Sequence, residues 1–447
     1  MQPFLDILAY FQEGASVSAA GYIRLAITVL VPIYALFVTK KKKRVFALLS
    51  VIGVFAALHI LNGFRVGYLS FFEDVKYMLL VAHLPILLIS FIHIYDKETL
   101  KSQIVTSLKV NAITLMVTFV LSFVLKSGNY TYPLYQQGWT GWAQIANAQS
   151  IILVGILPFI FYFLMSQPKK RYWLCMIPVV LIYIANGTKS AYYSIYLVAI
   201  GYIVLLVFNH FLQKNKHFPI YRVGILSLII VLTFVSYEYS PRKQVDAEID
   251  SARQEEQNEI DHIKDEINAG EEGSQEELEN YYFSHMDYRM LSKFGKEKVL
   301  AKYGEDITSE RLADLRLRKR IYASLIWDET DWMTKLVGFE YTHMEYDGEI
   351  YDLENDPPAI VFYYGFIGTV LYIVFLGYFL LRVVMQLVRN FKGSMTLLNF
   401  ALIEILLLQG VMSVYSGYLL RRPNVSIYLM TTLLLVYCNT ERLRKER

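Results

Sequence analysis

The chain has 447 residues, 55% of them hydrophobic and 19% charged, with a mean hydropathy of +0.35. A soluble protein of this length would be less apolar and more charged, and a net charge of +3 with no basic stripe points to no nucleic-acid partner. The two cysteines, Cys175 and Cys438, lie in or beside apolar segments, which excludes a disulfide framework and a cysteine-rich metal site.

The N-terminus carries Asp6 and Glu13 but no basic residue before Gly14. It is unlike a cleaved signal peptide and reads as a short amphipathic segment at the outer interface. Apolar runs of spanning length follow at about 17–38, 45–63, 75–95, 104–125, 143–166, 172–187, 190–212 and 220–237, then at 357–381, 397–417 and 424–439. Spans six and seven are separated only by Asn186-Gly187-Thr188-Lys189. The expected fold class is an all-α integral membrane protein of about eleven transmembrane helices, with one large extracytoplasmic helical loop between spans eight and nine. Its organisation would be an N-terminal bundle at 1–237, the large loop at 238–356 and C-terminal transmembrane helices at 357–447. Within the loop, 246–279 is acidic and reads as exposed helix interrupted at Gly270 and Gly273, a solvated insert with no assigned chemistry.

Orientation follows from lysine and arginine in the short loops. Lys40 to Arg44, Lys97 with Lys101, Lys169 to Arg171, Lys214 with Lys216, Arg382 to Lys392 and Arg442 to Arg447 fall on alternate sides. Placing these in the cytoplasm puts the N-terminus and the large loop outside and the C-terminus inside. Tyr130, Tyr132, Tyr135, Trp139 and Trp142 gather at span ends, where aromatic rings straddle lipid and water. No repeat of the transporter kind is visible.

The exceptions to the charge rule are the informative residues. Arg24, Arg65, Lys76, Lys189, Arg421 and Arg422 map to outer span ends or outer loops, and Arg289, Arg318 and Arg320 come from the large loop. Any one of them would be read as snorkelling to headgroups. As a set they suit a doubly charged anion held at the membrane surface. Glu404 and Gln409, inside span ten, read as partners of another helix, and His59, His83 and His93 have no metal-ligand spacing. No nucleotide-binding loop or familiar hydrolase motif occurs.

Four stretches, in order and all assigned to the outer side, carry a resemblance. They are Gly138-Trp139-Thr140-Gly141-Trp142-Ala143-Gln144-Ile145-Ala146-Asn147; Asn186-Gly187-Thr188-Lys189-Ser190-Ala191; Arg318-Lys319-Arg320-Ile321-Tyr322-Ala323 leading to Leu336-Val337-Gly338-Phe339; and Glu354-Asn355-Asp356 followed by Tyr364-Gly365-Phe366-Ile367-Gly368. Together they resemble the O-antigen ligase and polymerase superfamily of capsule, exopolysaccharide and teichuronic-acid clusters. Lys189 stands where that family usually has arginine. Glu354-Asn355 stands where ligase relatives have His-Asn, in the acidic variant of Gram-positive relatives.

The resemblance implies a metal-independent glycosyltransferase without cofactors, acting on an undecaprenyl-diphosphate-linked oligosaccharide at the outer membrane face. Membrane lipid and a chain-length regulator or other polysaccharide assembly proteins are the implied partners. Leaving-diphosphate stabilisation would fall to Lys189, Arg318 and Arg320, with Arg24 and Arg421 as further candidates. Glu354 or Asp356 would be the base, and Asn147 and Trp142 would contact glycan. Both carboxylates would equally serve as caps of the helix that begins there. Gly365 and Gly368 would allow close helix packing. The alternatives are a polysaccharide exporter or flippase, which should show a polar lumen and repeat symmetry, and a non-catalytic scaffold, which would leave the outer cations unexplained.

Overall fold

In the computed structural model, residues 2–12, 19–167, 170–213, 219–304, 306–346 and 349–445 are described. Glu13, Lys169, Lys214, Lys216 and Arg447, used above for the terminus and the orientation, lie outside them. The chain is helical almost throughout. It begins with α1 (Gln2–Phe11), α2 (Ala19–Val38), α3 (Lys42–Val66), α4 (Phe71–Ile94) and α5 (Lys97–Val124). After a loop come α6 (Ala146–Met165), α7 (Met176–Asn186), α8 (Lys189–Gln213) and α9 (Ile220–Tyr237). Seven helices then precede the next long apolar one: α10 (Pro241–Ala269), α11 (Ser274–His285), α12 (Tyr288–Phe294), α13 (Lys296–Tyr303), α14 (Ser309–Ala313), α15 (Leu315–Glu329) and α16 (Trp332–Val337). The chain closes with α17 (Asp356–Arg389), α18 (Phe391–Ser394), α19 (Leu397–Tyr415) and α20 (Pro423–Lys445).

Among the described residues nine helices are long and apolar enough to cross a membrane: α2 to α6, α8, α9, α17 and α19. Helices suit that solvent because each satisfies its own backbone hydrogen bonds. The protein is an all-α integral membrane protein. The sixth expected span is a shorter apolar helix, Trp173–Asn186, and the eleventh falls in α20, whose last turns carry Glu441, Arg442 and Arg444.

The chain divides into two compact units, one of residues 1–53, 79–245 and 372–447, the other of residues 54–78 and 246–371. The first unit is built around α6, buried on nearly every side and packed on α5, α8, α19 and α20. Glu404 and Gln409 of α19 lie where side chains on Gly201 of α8 and Gly155 of α6 would otherwise stand, as expected of intramembrane polar groups that face another helix. α1 packs its inner face on the first unit. Leu5 and Ala9 are buried, Gln144 donates to Ala9 O at 2.8 Å, and Tyr10 donates to Ser127 O.

In the second unit the acidic α10 is also more than a solvated insert. Ile260 and Ile263 are buried, and Ser309 N–H donates to Gln257 Oε1 at 3.0 Å. α17 is interrupted at Gly365, where φ is 63° and ψ is −168°, a conformation open essentially to glycine alone. A Cβ there would lie 2.5 Å from Leu336 O and from Gly338 N. The expected close approach is therefore real, but it is made by a break in the helix against the Gly338 turn and not by a smooth helix face.

Candidate functional site

In the second unit, α15 starts at Asp314, whose carboxylate accepts from Arg316 N–H at 2.8 Å and from Leu317 N–H at 3.2 Å. Residues three apart share a helix face, so Arg316 and Lys319 point the same way. Both reach Glu354: Arg316 Nε at 2.9 Å on one carboxylate oxygen, Lys319 Nζ at 3.2 Å on the other. Burial pushes the Glu354 carboxyl up, but hydrogen bonds and charge from Arg316 and Lys319 outweigh it and hold the group below the usual carboxylate range. All three side chains keep some exposure, 34%, 22% and 15% in that order. Solvent and a ligand can therefore reach the group. Asp356, by contrast, is fully buried at the first turn of α17.

Arg318 and Arg320 project elsewhere. Arg318 donates to Leu312 O at 3.1 Å, and its Nε is buried with no hydrogen-bond partner among the described residues. Nearby, burial raises the Asp287 carboxyl, while Arg289 hydrogen bonds and the Arg289 and Arg318 charges bring it below its ordinary value. Arg289 pairs with Asp287 at 3.0 Å and lies 4.8 Å from the Tyr351 ring centre. Arg320 is exposed.

In the first unit the Asn186-Gly187-Thr188-Lys189 stretch is a rigid turn. Gly187 takes a left-handed conformation that ends α7, and the Asn186 side chain, fully buried, accepts from Thr188 Oγ1 at 2.8 Å. Ser150 of α6 donates to Thr188 Oγ1 at 2.9 Å, and Thr131 donates to Asn186 O at 2.5 Å. The 129–142 loop is thus fastened onto the turn, and Lys189 emerges from it exposed at the start of α8. A second cation stands beside it: Arg242 Nη1 donates to Tyr132 Oη at 2.6 Å, and that hydroxyl donates to Gly187 O at 3.3 Å.

Asn147 is partly exposed in the first turn of α6. Trp142 donates to Ser127 Oγ at 3.0 Å with its ring 5.6 Å from Phe11. Arg24 pairs with Asp6 at 2.7 Å, and burial pushes the Asp6 carboxyl up to about 6 against the pull of Arg24. Arg421 is only 2% exposed, in the α19–α20 connection, where Tyr418 adopts a φ of 62°.

Several of the cations singled out in the sequence therefore have acidic partners within the fold: Arg24 with Asp6, Arg65 with Asp331, Lys76 with Glu73 and Arg289 with Asp287. Reading the sequence alone passes over Arg316, Lys319 and Arg242. For the first two a signal exists, because in Arg316-Leu317-Arg318-Lys319-Arg320 helical spacing pairs 316 with 319 and separates 318. Arg242 has none, since its neighbours come from 110 residues away. Among the described residues no three His, Cys, Asp or Glu side chains gather as a metal site.

The sequence model of the family described as O-antigen ligase like membrane proteins matches residues 1–441, and the chain belongs to that family. It is thus a multi-pass membrane enzyme of surface-polysaccharide assembly. No curated protein matches the chain.

Proposed function

We propose that the protein transfers a polyprenyl-diphosphate-linked oligosaccharide to an acceptor glycan at the outer face of the membrane, polymerising or ligating a surface polysaccharide. The observation that carries this reading is the hold of Arg316 and Lys319 on Glu354, in a chain of this family. Without substrate, the carboxylate neutralises the two cations. A lipid-linked diphosphate carries more charge and competes for them, the guanidinium above all. Glu354 then loses the partners that depress its pKa and gains the basicity to accept a proton from the acceptor hydroxyl.

The acceptor oxygen attacks the anomeric carbon as its proton passes to Glu354. The bond from that carbon to the diphosphate oxygen breaks, and the electron pair leaves with the lipid diphosphate, whose growing charge Arg316 and Lys319 stabilise. The diphosphate bond supplies the driving force, with no nucleotide and no metal. Lys189, Arg318 and Arg320 are further candidates for the diphosphate, and Asn147 and Trp142 for the glycan. Asp356, buried in the first turn of α17, takes a structural role as a carboxylate at a helix start. Arg24 and Arg421, one tied to Asp6 and the other almost inaccessible, take structural roles. In this reading 238–356 is an extracytoplasmic loop between membrane segments 1–237 and 357–447, and the C-terminus is cytoplasmic.

The test is polymer length by gel in cells lacking the native gene. Arg316→Gln and Lys319→Gln should each lower turnover by roughly two to three orders of magnitude, as loss of a charge-stabilising donor does, at normal membrane abundance. Normal polymer from both variants would place the diphosphate site elsewhere.

A further inference from the structure

Part of the segment that leads from α15 back to α17 packs along the ends of three long apolar helices, α3, α4 and α17. In α3, Arg44 and Arg65 bracket a run whose one ionisable residue is His59. The 21 residues from one arginine to the other span roughly 31 Å of helix, the thickness of a hydrocarbon core. Arg65 therefore marks the outer boundary, and residues before it lie inside.

α16 runs down this last part of α3 in the opposite direction. Asp331, its N-cap, pairs with Arg65 at 2.5 Å. Thr334 Oγ1 accepts from Asn62 Nδ2 at 3.2 Å, and Val337 O accepts from His59 Nδ1 at 2.8 Å. Each contact steps three residues along both helices. Val337 thus lies six residues, roughly 9 Å, below Arg65.

Two other helices give the same depth. Phe339 N–H donates to Phe362 O at 3.1 Å, six residues into α17. Tyr341 stacks on Tyr77 of α4 with ring centres 3.9 Å apart, again six residues from that helix's start. Irregular backbone is tolerated at such depth only where protein encloses and satisfies it. That condition is met here. Val337, Phe339, Glu340 and Thr342 are all buried, and Asp74 accepts from Tyr341 N–H at 3.2 Å and faces His59 Nε2 at 3.1 Å. Past Asp331, the exposed side chains are apolar: Trp332 is 67% exposed and Met333 51%. Phe366 of α17, also exposed, lies 6.3 Å from the Trp332 ring, so the apolar surface of α16 continues that of a membrane helix.

We infer that residues 331–341 form a re-entrant element of the membrane, with Trp332 and Met333 seated against lipid acyl chains at the edge of the outer hydrocarbon layer. Tryptophan favours that level. Lys335, partly exposed between them and the buried end, has a stem long enough to carry its charge to the headgroups. The inference needs α3, α4 and α17 to cross the membrane; it is independent of the proposed reaction.

The test uses the full-length protein in liposomes, permeabilised so that both faces meet the reagent. Met333→Cys and Glu310→Cys are each placed in a chain with Cys175 and Cys438 changed to Ser, and labelled with a water-soluble maleimide. Each rate is normalised to labelling after denaturation. Cys at 333 should react at least tenfold more slowly than Cys at the exposed position 310. In parallel, fluorescence of a chain keeping Trp332 as its one tryptophan should be quenched by lipids brominated on their acyl chains and hardly at all by iodide. Equal maleimide rates, or strong iodide quenching without bromine quenching, would put α16 in water and overturn the inference.

Discussion

Glu354 and Glu340 are both partly or fully shielded carboxylates of the second unit, yet they are held in opposite ways. Glu340 is 4% exposed and accepts from the backbone N–H groups of Leu69 at 2.8 Å and Ser70 at 2.6 Å, just before α4 begins, and from the Thr342 hydroxyl. Those donors are fixed by the fold. A carboxylate at a helix start also gains from the helix dipole. Glu354 is held by the tips of Arg316 and Lys319, two flexible and partly exposed side chains. One set of bonds can be exchanged for those of an anionic ligand and the other cannot. The difference separates a structural carboxylate from a catalytic candidate more sharply than residue type or burial does.

The junction beneath Glu340 should be the least forgiving place in the unit. Gly365→Ala forces an L side chain into a glycine-only backbone region, at a cost of about 1–3 kcal/mol, and drives its Cβ onto Leu336 O. Backbone on both sides leaves no room to relax. The variant should lose most of its folded membrane abundance, measured by detergent-extracted monomer on size exclusion. Gly377, where an added Cβ meets nothing within 4 Å, should accept alanine without loss.

The two glutamates can then be set against each other directly. Glu340→Gln presents an amide to backbone donors and should lower stability by about 1–3 kcal/mol, the cost of buried groups left unpaired. Glu354→Gln should leave the melting temperature in detergent nearly unchanged, because partly exposed ion pairs contribute little, while turnover falls by roughly two to four orders of magnitude. Acid titration bears on Glu354 as well. The Glu354 carboxyl is depressed in the folded state, so its small contribution is complete above the unfolded carboxylate value and is lost as pH falls through the lower folded value. Equal melting shifts for the two variants would erase the distinction.

Much of the fold is legible in the sequence because membrane solvent demands long apolar helices, and runs such as 45–63 and 220–237 announce themselves. α7 is harder, since its apolar stretch is cut short by the Gly187 turn. The site is less legible. The resemblance directs attention to Arg318 and Arg320, whereas it is Arg316 and Lys319 that meet Glu354. Their meeting depends on a contact across 38 and 35 residues that no local pattern encodes. The descent of 331–341 along α3 is likewise invisible in sequence, because α16 has six residues and no spanning run. Only its pairing with Arg65, Asn62 and His59 reveals it.

The central claim is most directly tested by supplying the purified, reconstituted protein with a polyprenyl-diphosphate-linked oligosaccharide and an acceptor glycan, and measuring polyprenyl diphosphate released against glycan extended. The wild-type protein should release one lipid diphosphate per transfer without added nucleotide, and Glu354→Gln should bind the donor but release almost none. Glycan movement across the bilayer with no release of lipid diphosphate would contradict the account and favour an exporter.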